Sequence, residues 1–189
     1  MSRRLASTVL IVIGATCLAW AAFAVLHAQA FQHEERVAFA RVQDGAPAPP
    51  GLIGRLDIPR LNLSVMVMEG DDVGTLKTAA GHLPDTALPW NGGNTAIAGH
   101  RVTFFRPLRI IRRGDEIRLI SPHGEFVYTV RDTRIVDPDD ISVLAPTRTA
   151  TLTLVTCYPF HYVGAAPKRY IVQAEPIVAT PAARSSYRP

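Results

Sequence analysis

The chemistry that this sequence offers begins with a single cysteine, Cys157, at the end of a run of β-forming residues. Residues 149–156 read TATLTLVT, in which Leu152 and Leu154 fall on one face of a strand. Because strand side chains alternate between two faces, we expect the leucines to face the core and Cys157 to point away from it. The other cysteine, Cys17, lies in a long apolar run, so no disulfide is expected. A thiol at a strand end beside a loop is well placed to act, as thiolate, as a nucleophile.

The elements that must position this thiol lie between residues 52 and 178, and they are expected to be all-β. Short β-forming runs alternate with Pro, Gly and Asp about every ten residues, which is typical of a closed or nearly closed β-barrel with short helical turns. Residues 117–121 and 125–132 flank a Pro-His-Gly turn, which predicts a hairpin. Asp71 or Asp72 is expected to cap a helical turn.

An uncharged apolar run at residues 5–26 precedes the barrel. At 1.5 Å per residue it is about 33 Å long as a helix, enough to cross a hydrocarbon core of about 30 Å. Arg3 and Arg4 precede the run, which predicts that residues 1–4 stay in the cytoplasm and that the rest of the chain lies outside. The alternative is a signal peptide cleaved after Ala30.

Three further segments complete the expected organisation. Residues 27–51 are predicted to form a stalk and a Pro-rich linker, in which residues 31–43 are either a short helix or unstructured. Residues 52–178 form the barrel, and residues 179–189 are predicted to be a flexible tail.

The charge distribution argues against a nucleic-acid-binding protein. The formal net charge is +4, but residues 52–178 contain fourteen Lys and Arg against thirteen Asp and Glu. The excess positive charge therefore lies mostly at the two ends of the chain, and no basic binding face is expected on the barrel.

Three segments, in order along the chain, resemble active-site signatures of the sortase family. Residues 153–157 read TLVTC, similar to the TLxTC motif around the sortase cysteine. Residues 94–101 read NTAIAGHR, similar to the strand and following residues that carry the sortase histidine, here His100. Arg169 matches the family's arginine on the strand after the cysteine. The resemblance covers residues 52–178 and is closest to class D sortases, including those of Gram-negative bacteria.

This resemblance implies a sortase-like barrel and a role for each site residue. Cys157 would attack the scissile amide as thiolate, and His100 would protonate the leaving amine and later accept a proton from the incoming one. Arg169 would stabilise the oxyanion or hold the substrate backbone. Thr156 is expected to help shape the oxyanion region.

The resemblance also implies the partners of the enzyme. The substrate would be a secreted protein with an LPxTG-like sorting signal near its C-terminus, cut after Thr and passed through a thioester to an amine acceptor. Ala96, Ile97, Val155 and Ile171 are expected to line a groove for the Leu and Pro of that signal. The site would lie outside the cytoplasmic membrane, in the periplasm if the source is Gram-negative.

Several alternatives stay open at the level of sequence. His161 is a rival to His100 as the base, whereas His82 and His123 are expected to be non-catalytic. With water in place of the amine, the enzyme would be a cysteine peptidase that mainly hydrolyses the acyl-enzyme. A non-catalytic anchored barrel that binds peptides is a third interpretation.

No metal site or cofactor is expected, although some sortases bind calcium between acidic loops. Two acidic clusters have that character here, and their ordinary interpretation is as turn and cap residues. Their members are Glu69, Asp71, Asp72, Asp137, Asp139 and Asp140.

Overall fold

Eight strands and two helices make up the computed structural model, which describes residues 2–43 and 46–177. The strands are β1 (Leu52–Ile58), β2 (Leu63–Glu69), β3 (Ala80–His82), β4 (Asn94–Ala98), β5 (Glu116–Ser121), β6 (Gly124–Val136), β7 (Thr151–Tyr158) and β8 (Lys168–Pro176). The helices are α1 (Ser2–Gln43) and α2 (Val73–Thr78). Short 3-10 turns occupy Pro59–Leu61, Pro89–Asn91, Arg106–Ile110 and Ile141–Leu144. The predicted C-terminal tail lies outside the described residues.

The strands close into a barrel in the order β1-β2-β3-β4-β7-β8-β6-β5, with β5 pairing back onto β1. The β2–β3 and β4–β7 pairs are parallel and the other pairs are antiparallel. Closure leaves no free sheet edge, and the predicted closed all-β barrel with short helical turns is confirmed. The predicted hairpin is the β5–β6 pair, whose strands meet at Ser121 and Gly124.

Alternation along the strands fills the barrel with apolar side chains. Leu152 and Leu154 of β7 are fully buried in the core, as their positions on one strand face predicted. Tyr128 and Val130 of β6 belong to the same core, and burial raises the pKa of the Tyr128 hydroxyl to about 12. A second, smaller cluster, built on Phe39 of α1, lies on the outside of the barrel.

Helix α2 begins at one of the two predicted caps, with Asp72 as its N-cap. The carboxylate accepts hydrogen bonds from the backbone N–H groups of Gly74 and Thr75, at 2.7 and 3.2 Å. The Thr75 hydroxyl also donates to this carboxylate, and these bonds hold the pKa of Asp72 below its usual value. The cap fixes α2 between β2 and β3.

The N-terminal helix continues well past the predicted membrane segment and packs on the barrel. Gln32 bridges two elements: its amide nitrogen donates to the Thr78 carbonyl over 2.8 Å, and its amide oxygen accepts from the Met66 N–H over 2.9 Å. Phe39 is only 1% exposed against Leu52 and Met66. Residues 31–43, left open as helix or coil by the sequence, are therefore helical and docked.

One stretch of this helix, Ser7–Val42, is long and apolar enough to cross a membrane by length and composition. The apolar side chains of its first part, residues 7–26, are exposed in the chain alone, Leu10 and Trp20 among them. One N-terminal apolar helix of this kind is consistent with single-pass membrane anchoring.

Candidate active site

The parallel pairing of β4 and β7 sets the predicted histidine beside the predicted nucleophile. At the end of β4 the Gly99 N–H donates to the Val155 carbonyl over 3.1 Å. The buried Thr156 hydroxyl donates to the Gly99 carbonyl over 2.7 Å. These two bonds fix the backbone immediately before His100 against the residues immediately before Cys157.

The turn after β4 fixes the backbone of His100 itself. The carbonyl of His100 accepts from the Phe105 N–H at 3.1 Å and from the Thr103 N–H at 3.3 Å. The Phe105 ring packs directly on Gly99, where an added Cβ would lie 2.7 Å from a ring carbon. Glycine is needed at this position because the ring occupies the space of a side chain.

The antiparallel pairing of β7 and β8 places Arg169 directly opposite Cys157. The Nη1 of Arg169 donates to the Lys168 carbonyl at 3.2 Å and to the Ala166 carbonyl at 3.4 Å. The guanidinium is thus held on the loop side of the strand pair, next to the thiol.

All three predicted catalytic side chains line one cavity of about 360 Å³, called here the thiol cavity. Cys157 is half-buried, as its strand face predicted, and is not part of the apolar core. Of the predicted supporting residues, Thr156, Val155 and Ile171 also line this cavity. A nucleophile, an imidazole and a permanent cation around one cavity are the groups that acyl transfer needs.

Two predicted groove residues, Ala96 and Ile97, do not reach the thiol cavity, and this prediction is corrected. Both are fully buried, and Ile97 belongs to the barrel core. The first four residues of β4 are all buried, so both faces of the strand are covered there. The residue of β4 that does line the cavity is Ala98, at the strand end.

The sequence did not single out the apolar side of the thiol cavity, which the loop after β6 supplies. Ile141 and Leu144, from the short turn after Asp140, line the cavity together with Leu83. Ile141 is 75% exposed, which is unusual for a large aliphatic side chain. In the sequence, the indication of this apolar side was an Ile placed between two polar residues, Asp140 and Ser142, in a turn.

Asp140 brings a carboxylate to the same cavity. It caps the turn by accepting from the Ser142 hydroxyl and from the Ser142 backbone N–H. These hydrogen bonds hold the pKa of the Asp140 carboxyl below its usual value, so the group is charged at neutral pH.

The other three histidines of the barrel do not line the thiol cavity. His161 lines a separate surface depression with Tyr158 and Tyr170, so the structure does not bring this rival base to the thiol cavity. His82, 1% exposed, has its Nδ1 3.0 Å from a Glu69 oxygen, which fits the predicted structural role. The rings of His123 and Trp90 contact each other at a tilt of 33°, with centroids 4.0 Å apart.

The acidic clusters are engaged as caps and ion pairs. Asp72 and Asp140 cap turns, Glu69 contacts His82, and Asp137 contacts Lys168 at 2.6 Å. Within the described ranges, no group of three or more His, Cys, Asp or Glu side chains could hold a metal ion. The expectation that the protein has no cofactor, with loop-bound calcium as its alternative, stays a prediction.

Arg101, the residue after His100, ties the β7–β8 loop to the site. Its Nη2 donates to the carbonyls of Tyr162 and Gly164, at 2.8 and 3.1 Å, and its guanidinium lies 5.9 Å from the centroid of the Tyr162 ring. Because His100 and this loop meet through one side chain, the loop beside Cys157 is tied to the catalytic turn. The motif NTAIAGHR contained Arg101, but gave no reason to assign it a role.

Comparison with known proteins places this geometry in a family. Residues 56–177 match the family model described as "Sortase domain". Over 120 residues, 63% of this chain, the sequence is 42% identical to Sortase D of Bacillus subtilis, and the match spans 61% of that protein. It is 27% identical over 110 residues to Sortase A of Listeria monocytogenes, spanning 49% of that protein.

Solved structures give the same result for the fold. A Sortase D5 transpeptidase from Clostridium perfringens superposes with a TM-score of 0.65 at 27% identity, covering 79% of this chain and 97% of that one. Sortase A of Listeria monocytogenes superposes with a TM-score of 0.60 at 26% identity, covering 67% and 88%. The resemblance read from the sequence motifs is thereby confirmed.

Proposed function

The chain belongs to the sortase family, and from this premise we propose that it is a membrane-anchored cysteine transpeptidase. It cleaves an LPxTG-like sorting signal through a thioester on Cys157 and transfers the cleaved protein to an amine acceptor. The observation that supports this proposal most directly is the thiol cavity, where Cys157, His100 and Arg169 meet although they come from three different elements.

The reaction divides into two acyl transfers. In the first, the Cys157 thiolate attacks the carbonyl after Thr in the sorting signal, and Arg169 stabilises the oxyanion that forms. The C–N bond breaks as His100 gives its proton to the leaving amine, and a thioester remains. In the second, an incoming amine attacks the thioester, His100 takes its proton, and the thiolate leaves with a new amide formed.

In this proposal Thr156 has a positioning role. Its hydroxyl already donates to the Gly99 carbonyl, so it positions the His100 backbone and is not free to donate to the oxyanion. Arg169 therefore holds the substrate backbone and stabilises the oxyanion, because its guanidinium keeps its charge at any working pH.

The apolar wall of the thiol cavity fits the apolar part of the sorting signal. Ile141, Leu144 and Leu83 bury the Leu and Pro side chains, and Val155 and Ile171 line the floor near the thiol. Burying apolar surface contributes about 25 cal/mol per Å², so contact with this wall favours binding of the signal.

The apolar part of α1 crosses the cytoplasmic membrane once in this proposal, with the barrel outside. The positive residues Arg3 and Arg4 before the apolar run favour that orientation. Anchoring keeps enzyme and membrane-held secreted substrates on one surface and raises their effective concentration.

Mass spectrometry of the full chain with an LPxTx peptide tests the proposal. We expect an acyl adduct on Cys157, absent in Cys157→Ala, whose release with an added amine gives the amide product. A full chain that folds normally yet forms no adduct with any LPxTx peptide would overturn the proposal. Release that is unaffected by amines would identify the enzyme as a hydrolase.

A further inference from the structure

A second cavity, of about 440 Å³, borders the thiol cavity and is called here the Arg148 cleft. The loop between β3 and β4 lines it on one side, and the last residues before β7 line it on the other. Leu144 lines both cavities. The Arg148 cleft therefore adjoins the thiol cavity at Leu144, on the apolar wall.

The backbone on both sides of Leu144 is fixed by one buried amide. Asn94, 2% exposed, donates from Nδ2 to the carbonyls of Val143 and Ala145, over 3.0 and 3.2 Å. Its Oδ1 accepts from the Thr153 hydroxyl over 2.7 Å. Because a buried amide with its partners in place holds its neighbours firmly, the boundary between the two cavities is tied to the start of β4.

The proposed substrate needs an exit from the thiol cavity at this boundary. In the proposed function, the scissile carbonyl lies at Cys157, and the Leu and Pro side chains lie against Ile141, Leu144 and Leu83. The sorting signal is the end part of a longer protein, so the chain before its Leu has to leave the thiol cavity. The Arg148 cleft adjoins the wall that holds this Leu.

The pairing of β4 with β7 gives the distance from the thiol to the Arg148 cleft. The parallel register places Asn94, which lines the cleft, opposite Thr151, six residues before Cys157 on β7. At about 3.3 Å per residue, those six steps are roughly 20 Å. In an extended peptide of similar rise that runs along these strands, six steps back from the Thr of the signal lead to the third residue before Leu. The second and third residues before Leu therefore reach the level of the cleft.

We propose that the Arg148 cleft binds the substrate residues that immediately precede the sorting signal, as an extended segment whose charged side chains contact Arg148 and Asp85. This inference rests on the proposed function. It adds to the signal itself a second recognised segment, on the amino-terminal side of Leu.

The residues of the cleft suit a polar peptide segment. Gly92 and Gly93 line it without side chains, and a Cβ added at Gly92 would meet no atom within 4 Å, so a peptide backbone can approach closely there. Asp85 and Arg148 are exposed, and neither forms an ion pair with another residue in the described part of the chain. Both charges are therefore available to substrate side chains of opposite sign.

The test measures kcat/KM of the full chain in detergent for cleavage of four N-acetylated LPxTx peptides. One peptide begins at Leu, and the others carry Ala-Ala-Ala, Glu-Glu-Ala or Lys-Lys-Ala before Leu. A ratio between two peptides within one variant cancels any loss of folded enzyme. We expect wild type to cleave the Ala-Ala-Ala peptide about fivefold or more better than the peptide that begins at Leu.

Two tryptophan variants test whether the cleft holds the added residues. Thr147→Trp places a large side chain in the cleft and should abolish the advantage of the Ala-Ala-Ala peptide. Thr149→Trp makes the same change on the same loop, at an exposed position outside the residues that line the cleft, and should keep the wild-type ratio.

Two charge reversals test the contact with Arg148. Arg148→Glu should lower the ratio of kcat/KM for the Glu-Glu-Ala peptide to that for the Lys-Lys-Ala peptide about fivefold or more, because an attraction becomes a repulsion. Arg113→Glu is the same reversal at an exposed position outside the cleft and should leave this ratio at the wild-type value.

The outcomes distinguish this inference from the proposed function. A folded full chain that forms no Cys157 adduct with any of the four peptides contradicts the proposed function itself. If adducts form but all four peptides are cleaved alike, or if Thr147→Trp and Thr149→Trp give the same ratio of extended to short peptide, the cleft does not bind the preceding segment. If Arg148→Glu changes the charge ratio no more than Arg113→Glu does, the contact with Arg148 is wrong.

Discussion

The buried hydroxyl of Thr156 donates to the Gly99 carbonyl, one residue before His100. Replacing it by Val leaves that carbonyl unpaired next to the site, which costs about 1–3 kcal/mol in structures where it is measured. We expect Thr156→Val to lower kcat about tenfold or more while the KM for the sorting-signal peptide changes little. Thr156→Ser keeps the hydroxyl and should retain most activity. Equal loss in both variants would contradict the positioning role.

Gly99 and Phe105 form the second constraint on His100. A Cβ at Gly99 would lie 2.7 Å from the Phe105 ring, so Gly99→Ala has to displace the ring or the catalytic turn. We expect a large loss of acyl-enzyme formation in Gly99→Ala. The double variant Gly99→Ala with Phe105→Leu should recover part of that loss, because the smaller side chain vacates the contact. If the double variant forms no more acyl-enzyme than Gly99→Ala alone, the contact between residue 99 and the Phe105 ring is not the cause of the loss.

At the scale of elements, the β7–β8 loop is connected to the catalytic turn through Arg101. The two hydrogen bonds from its guanidinium to Tyr162 and Gly164 span otherwise separate segments. We expect Arg101→Ala to raise amide hydrogen exchange across residues 159–167 severalfold with little change in the barrel strands. Arg106→Ala, at an exposed position on the same turn, serves as the control. Unchanged exchange in Arg101→Ala would show that the loop is ordered without this contact.

An ion pair joins the β1–β2 connection to the start of β5. The guanidinium of Arg60 donates to both carboxylate oxygens of the buried Asp115, and the Arg112 N–H donates to the same group at 2.7 Å. The Arg60 hydrogen bonds, chiefly, hold the pKa of the Asp115 carboxyl below its usual value in the folded chain.

A carboxyl whose folded pKa is lowered stabilises the fold above its unfolded pKa of about 3.9, and that contribution is lost as pH falls below it. Asp115→Asn should therefore lower the free energy of unfolding by about 1–2 kcal/mol at neutral pH. The difference from wild type should shrink as the pH falls below about 4. Thermal unfolding of both full chains in detergent, measured across pH, checks this. A difference that does not vary with pH would show that the carboxylate charge is not its source.

The elements that the sequence predicted are those with a strong local pattern. The alternation through Leu152 and Leu154 and the cap at Asp72 are short-range signals, and both appear in the structure. Strand β3 has three residues, too few for any period, and was not predicted. The groove assignment of Ile97 was wrong because its side chain belongs to the barrel core, most of whose other members lie far away in the sequence.

At the scale of the whole molecule, the docking of α1 could not be derived from residues 31–43 alone. Charged residues such as Glu34 and Glu35 obscure the helical pattern. The partners of Gln32 and Phe39 lie on β1, on β2 and at the end of α2, all of them distant in the sequence. Docking joins the barrel to the apolar helix through a folded contact. It therefore fixes the position of the barrel, and of His100 with it, relative to the apolar helix.

Phe39 provides a test of this docking, because its ring is buried on the outside of the barrel against Leu52 and Met66. Truncating a buried Phe to Ala costs about 3–5 kcal/mol, and here that cost falls on the contact between α1 and the barrel. We expect Phe39→Ala to raise amide hydrogen exchange in residues 31–43 while the exchange of the barrel strands stays at the wild-type level. Val37→Ala removes an exposed side chain from the same helix and should change neither. If Phe39→Ala raises exchange across the barrel as well, the helix is part of the cooperative fold of the barrel. If it leaves residues 31–43 protected as in wild type, the Phe39 contact does not hold α1 in place.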